Sequence, residues 1–201
     1  MKQVVIIILA SSVWLAAPAM AQNTDAETKA ASLRASTCQT CHGADGNSVS
    51  STVPRLNGQG ASYLYARLHS LRYPIQEAPR AIHNMGDIAP QLESKVIAAL
   101  ANYYAGQTPP QRHPGGGATA EGERIYKSGA GADIPACQGC HGARGEGSAT
   151  APRLAGQHGD YLELQLQAFA MAARVADPMN HHVWTMTPPQ MKAVASYLSG
   201  D

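Results

Sequence analysis

The chain has 201 residues, of which 14% are charged, and a formal net charge of +1. That balance offers no basic surface for nucleic acid or for an anionic membrane, so neither is expected as a partner. A single Phe, few β-branched residues after the first segment, and plentiful Ala, Gly, Leu and Gln favour helices joined by irregular loops over sheets.

The N-terminus sets the compartment. Lys2 is followed by the apolar runs Val4 to Leu9 and Val13 to Ala17, and Ala19-Met20-Ala21 fits the small-x-small rule. Residues 1–21 therefore read as a signal peptide cut after Ala21, and the mature protein is expected in the periplasm. Ser11, Ser12 and Pro18 leave the run short of the about 20 apolar residues a spanning helix needs. Peripheral membrane association is compatible with this reading.

A first helix is expected from Asp25 to Ser36, ending at Cys38-Gln39-Thr40-Cys41-His42. Pro54-Arg55-Leu56 and Gly58-Gln59 follow, then a helix from Ser62 to Arg72 with the stripe Leu64, Leu68, Leu71. A long loop carries His83 and Met85. A closing helix from Leu92 to Ala105 presents Val96, Ile97, Leu100 and Tyr103. Thr108 to Gly117, rich in Pro and Gly, reads as a connector.

The same marks then recur in the same order. A helix from Thr119 to Lys127 precedes Cys137-Gln138-Gly139-Cys140-His141, Pro152-Arg153-Leu154 and Gly156-Gln157. Gly159 to Ala173 carries Leu162, Leu166 and Phe169, and a loop carries Met179. The last helix begins after Pro188-Pro189, with Met191, Val194, Tyr197 and Leu198 on its apolar side. The repeat predicts an all-α protein of two tandem domains, residues 22–107 and 118–201, joined by the linker 108–117. Each is small and poor in aromatics, so a large buried cofactor would complete its core.

All four cysteines lie in Cys-x-x-Cys pairs. Free thiols in an exported protein would be oxidised unless they had another use, and the histidine after each pair supplies one. Cys-x-x-Cys-His is the attachment signature of haem c. Two thioethers reach the two vinyl groups on one porphyrin edge, and the adjacent histidine, His42 or His141, lies under the ring. A shared zinc site, a redox disulfide or two structural disulfides are the competing readings. The first leaves both histidines unexplained, and the second lacks a βαβ context.

Candidates for the sixth iron ligand are Met85, His69 and His83 in the first half. Those in the second half are Met171, Met179, Met186, His158, His181 and His182. Met85 precedes Tyr103 by the same interval as Met179 precedes Tyr197, which favours these two methionines. Met186 takes the place of Leu92 and is expected in the core, and Met171 is expected to pack within a helix. His181 and His182 remain alternatives at the second iron. Pro54 and Pro152 shape turns, and a carbonyl in their loop could accept the other ring N–H of the axial histidine. Arg55 and Arg153, which follow those prolines, are expected to meet haem propionates.

Cys-His-Gly-Ala-Asp-Gly-Asn-Ser from Cys41 to Ser48, the Gly-Gln elements, the paired methionine loops, Ala-Asn-Tyr-Tyr and Ala-Ser-Tyr-Leu resemble dihaem cytochrome c4. The resemblance covers nearly the whole mature chain. It implies two cytochrome c folds related by a pseudo-twofold axis, with propionates near the interface. It also implies His42 and Met85 on one iron, His141 and Met179 on the other, and the Pro54 and Pro152 carbonyls on the axial histidines. Asn57, where the family commonly has Ala, and the stretch Asp177 to His182 depart from its pattern.

The expected function is single-electron transfer between respiratory redox proteins, with a terminal oxidase, a cytochrome reductase or a dehydrogenase as partners. Family members often pass electrons towards a haem–copper terminal oxidase. The alternative is an electron-transfer subunit of a periplasmic dehydrogenase, as in flavin-containing sulfide dehydrogenases. A haem peroxidase is a third reading, and the sequence offers no acid–base constellation for it, so the protein is expected to be a carrier and not an enzyme.

Overall fold

The computed structural model describes residues 17–73, 85–112 and 120–199. Residues 1–16 of the expected signal peptide, His83 and linker residues 113–117 lie outside them. Among the described residues the fold is helical, with no strand beyond one isolated bridge between Gln157 and Ser199.

In the first half, α1 (Ala17–Leu33) runs into a π-helical turn (Arg34–Cys38) and then into α2 (Gln39–His42). The backbone thus stays helical through the first cysteine motif, where a stop at Ser36 was expected. Next come α3 (Ala61–Ser70), a helical turn α4 over 85–88, a 3-10 turn (Ala89–Gln91) and α5 (Ser94–Ala105). In the second half, α6 (Ala120–Ser128) ends before a Gly- and Pro-containing loop. Then come α7 (Gln138–His141), α8 (Gly159–Ala170), α9 (Met179–Val183) and α10 (Pro188–Leu198). The two methionines expected in loops instead lie in short helices, Met179 at the start of α9 and Met85 in α4.

Each half has its own apolar core. The closing helix α5 packs on α1 and α3, and α10 packs on α6 and α8. Along α5 Val96, Ile97, Leu100, Ala101 and Tyr104 are buried, and the last four form the i, i+3, i+4, i+7 face of a helix. The expected inward residue, Tyr103, is instead half-buried, with the Arg34 guanidinium 3.5 Å from its ring centroid. On α10, Met191, Val194, Tyr197 and Leu198 are all buried, as expected. Its N-terminus is fixed by prolines in the first turn and a Thr187–Gln190 capping box.

The crossing of α6 and α10 depends on Gly122. A Cβ there would lie 2.1 Å from the Ala193 carbonyl oxygen and 2.9 Å from the Tyr197 Cβ. Both obstacles are backbone or adjoin it, so the helices must separate to admit a methyl group. The Gly122→Ala variant should lose about 1–3 kcal/mol or more of stability in the second half. Thermal unfolding would measure the loss, and an unchanged midpoint would show that the crossing can relax.

The halves meet through the loops that carry the repeated Pro-Arg-Leu and Gly-Gln elements. Arg55 N–H donates to Gln157 Oε1 and Gln157 Nε2 donates to Arg55 O, both at 2.9 Å. The reciprocal pair is Arg153 N–H to Gln59 Oε1 and Gln59 Nε2 to Arg153 O, both at 2.8 Å. This exchange is what a pseudo-twofold axis between the halves requires. Linker residues 108–112 take part in the seam and do more than connect. Gly58, at φ +66, would place a Cβ 2.4 Å from Pro109 Cβ, and Gly156, at φ +77, one 2.5 Å from Pro110 O. Glycine at both places supplies the positive φ and lets the linker pass.

Candidate haem-binding centres

The short helices α2 and α7 place two thiols one turn apart beside a histidine in each half. Cys38 and Cys137 are half-buried, and Cys41 and Cys140 are exposed. Burial pushes the Cys137 thiol up to about 11 and raises that of Cys38 as well. A dithiol oxidoreductase needs the opposite, a thiolate stabilised near neutral pH. A zinc site needs convergence, and among the described residues no group of three or more His, Cys, Asp or Glu side chains converges.

His42 and His141 are 8% and 6% exposed. Each places Nδ1 at 2.9 Å from a carbonyl oxygen, that of Pro54 for His42 and that of Pro152 for His141. A carbonyl only accepts, so Nδ1 carries the proton and Nε2 keeps its lone pair. Burial lowers the pKa of both imidazoles, and the carbonyl bond opposes that shift in part. The result is a neutral ring of fixed tautomer beside two thiols. That donor set fits haem c: thioethers from the cysteines, and an imidazole nitrogen for the iron.

Apolar walls continue from each motif. Cys38, Leu56, Leu64 and Leu68 pack on the first core. Cys137, Leu154, Leu166 and Met179 pack on the second. Met85 is half-buried in α4. Met186 is 7% exposed, in the core as expected. Met171 is not in a packed helix. α8 ends at Ala170, Ala172 turns to φ +53, and Met171 is 68% exposed.

The remaining histidines have other surroundings. His69 stacks on Tyr65 with ring centroids 5.8 Å apart. His158 is buried at the seam, with Nε2 at 3.0 Å from both the hydroxyl and the carbonyl oxygen of Ser48. His181 is exposed and stacked on Trp184. The unusual stretch 177–182 is tied down by Asn180, which donates to the Phe169 and Arg174 carbonyls and accepts from Ala176 N–H.

The cytochrome c family model matches twice, over residues 27–108 and 119–200, once for each motif-bearing half. The chain belongs to the cytochrome c family, as a dihaem member of the cytochrome c4 group. It is 34% identical over 174 residues to cytochrome c4 of Pseudomonas aeruginosa, covering 83% of this chain and 85% of that protein. It is 35% identical over 208 residues to a thiosulfate dehydrogenase electron acceptor of Thiomonas intermedia, covering 99% and 91%. The solved structure of Acidithiobacillus ferrooxidans cytochrome c4 superposes with a TM-score of 0.74 at 39% identity, covering 82% of this chain and 98% of that one.

As a cytochrome c4, the protein carries two covalent haem c groups, at Cys38/Cys41 and Cys137/Cys140, and is an electron carrier, not an enzyme. Bound there, the haems supply the ferric–ferrous couple. The polypeptide attaches them, fixes the histidine tautomers and joins the two halves. The joining roles of Gln59, Gln157 and Ser48 were not expected from the sequence, although the repeat marked both glutamines, and His158, named there as a candidate iron ligand, joins the halves through Ser48. Arg55 and Arg153 also serve the seam. Arg55 Nη1 donates to Gly156 O at 2.6 Å, and Arg153 donates through Nε to Ala155 O and through Nη2 to Pro110 O.

Proposed function

We propose that this cytochrome is a periplasmic electron shuttle with two six-coordinate irons, ligated by His42 and Met85 in residues 22–107 and by His141 and Met179 in residues 118–201. The observation that carries this reading is the paired 2.9 Å bond from each histidine Nδ1 to a proline carbonyl, which leaves Nε2 for iron in both halves. Half-buried methionines at equal intervals from Tyr103 and Tyr197 support the other axial position. Six-coordinate iron exchanges electrons without binding substrate. Arg55 and Arg153 bring positive charge to the seam, which suits haem propionates. Near-infrared magnetic circular dichroism of the oxidised protein should show two His–Met centres. A bis-histidine band, or a native haem that binds carbon monoxide, would overturn the ligand assignment.

Export follows from cleavage after Ala21, and among the described residues no helix is long and apolar enough to cross a membrane. The proposed acceptor is a haem–copper terminal oxidase. A second reading, in which a thiosulfate-oxidising dehydrogenase supplies the electrons, is supported by the similarity to the Thiomonas intermedia acceptor over 99% of this chain. Elution of the protein alone from a periplasmic extract supports the shuttle. Stoichiometric co-elution with a dehydrogenase would replace it with a permanent subunit.

A further inference from the structure

The two halves differ around the first cysteine of each motif. In the second half, the Tyr126 ring centroid lies 5.5 Å from that of Tyr197. The Tyr126 phenol also lies near Cys137, but its hydroxyl donates to the Gly142 carbonyl at 2.6 Å. In the first half, Tyr103 takes the place of Tyr197, and the group over its ring is the Arg34 guanidinium instead of a second phenol. One residue further along the closing helix, Tyr104 stands where the second half has Leu198.

Tyr104 is 4% exposed and belongs to the apolar cluster on which Cys38 packs. Its ring fills the space beside Gly46, where a Cβ would lie 2.7 Å from Tyr104 Cδ1. The Tyr104 hydroxyl is buried and makes no well-aligned hydrogen bond, although buried polar groups are almost always satisfied. The group it faces is the Cys38 thiol. Burial raises the pKa of both, the phenol partly holds the thiol down, and the thiol adds to the rise of the phenol.

Haem attachment changes what this pair can do. A thiol carries a proton of its own, whereas a thioether sulfur only accepts. Once Cys38 is a thioether, its sulfur offers lone pairs to a buried donor that lacks another acceptor. We propose that Tyr104 is a positioning residue of the N-terminal centre, whose hydroxyl donates to the thioether sulfur of Cys38 and biases that haem, and not the C-terminal one, towards the ferrous state. The inference rests on haem attachment at Cys38 and not on the identity of the sixth ligand. A donor aimed at the sulfur turns the positive end of its dipole towards the cofactor, which opposes the added charge of ferric iron. Burial keeps water from screening that dipole. The second half has no equivalent, because Leu198 carries no hydroxyl and the proton of Tyr126 is committed to Gly142 O.

The test compares the haem-loaded protein with its Tyr104→Phe and Tyr126→Phe variants. Spectroelectrochemistry gives both potentials, and the haem methyl NMR signals assign each to its domain. Resonance Raman spectra in H2O and D2O follow the thioether C–S stretch, with thermal unfolding in parallel. Tyr104→Phe should shift the ferric–ferrous equilibrium of the N-terminal haem about threefold towards ferric, or about 30 mV at about 59 mV per tenfold for one electron. The C-terminal haem should stay in place. The C–S band of the parent should move in D2O, and that movement should vanish in Tyr104→Phe. Tyr126→Phe, which loses a bond to a backbone carbonyl, should lower the melting temperature and leave both potentials and the isotope effect as they are. An unchanged N-terminal potential in Tyr104→Phe would overturn the proposal, even if the melting temperature fell. So would equal shifts of both haems, or a shift as large in Tyr126→Phe, since either marks a general loss of packing. A parent C–S band insensitive to deuterium would also overturn it, and that measurement decides if Tyr104→Phe fails to take up both haems.

Discussion

Replacing Met179 with histidine should lower the potential of the C-terminal haem by about 0.2–0.4 V, within the roughly 0.8 V that axial ligands span, and leave the N-terminal haem nearly unchanged. A thioether favours ferrous iron, and a second imidazole favours ferric. The asymmetry follows from the packing. Met179 is half-buried against the core cluster that also receives Cys137. Its competitors are held elsewhere: Met186 in the core, Met171 exposed beyond α8, His158 on Ser48 and His181 against Trp184. Spectroelectrochemical titration resolves the two haems. If the C-terminal potential stayed put in Met179→His and rose in His182→Gln, the ligand would be His182.

What could be read from the sequence was what local chemistry dictates. Cys-x-x-Cys-His needs only five consecutive residues, so both attachment sites were visible, as was the carbonyl loop beginning at Pro54 and Pro152. The apolar stripes of α5 and α10 were visible through their period, but period alone does not fix the register. Tyr103 and Tyr104 are adjacent, and the core takes Tyr104 because it continues the face of Ile97 and Leu100. Where α8 ends was also hidden, because Met171-Ala172-Ala173 has good helix formers. The chain leaves the helix there at the positive φ of Ala172, and Asn180 fastens the next turn. The seam was illegible for a different reason. Gln59 and Arg153, or Gln157 and Arg55, are about a hundred residues apart, and a repeat shows that both copies exist without showing that they face one another. Residues 108–112 looked like a spacer by composition. They became structural because the glycines at 58 and 156 let the backbone lie against both halves.

Those glutamines should be the most sensitive points of the interface. Each carboxamide satisfies both the N–H and the C=O of an arginine in the opposite half, and both glutamines are buried. Leucine at either position strands two donors, the arginine N–H and that of Gly60 or His158, and one acceptor, at about 1–3 kcal/mol for each group that water cannot reach. Gln59→Leu or Gln157→Leu alone should therefore cost about 2–4 kcal/mol, and calorimetry of the double variant should show two separated transitions in place of one. The losses should not add, because opening one bridge frees the shared linker and weakens the other. Glutamate separates hydrogen bonding from packing at the same site. Gln59→Glu can still accept from Arg153 N–H but, when ionised, has no proton for Arg153 O, so it should fall between the parent and the leucine variant. Losses below about 0.5 kcal/mol in all three single variants, within the range of ordinary surface substitutions, would mean that water replaces the bridges. The Arg55 and His158 contacts would then be what holds the halves together.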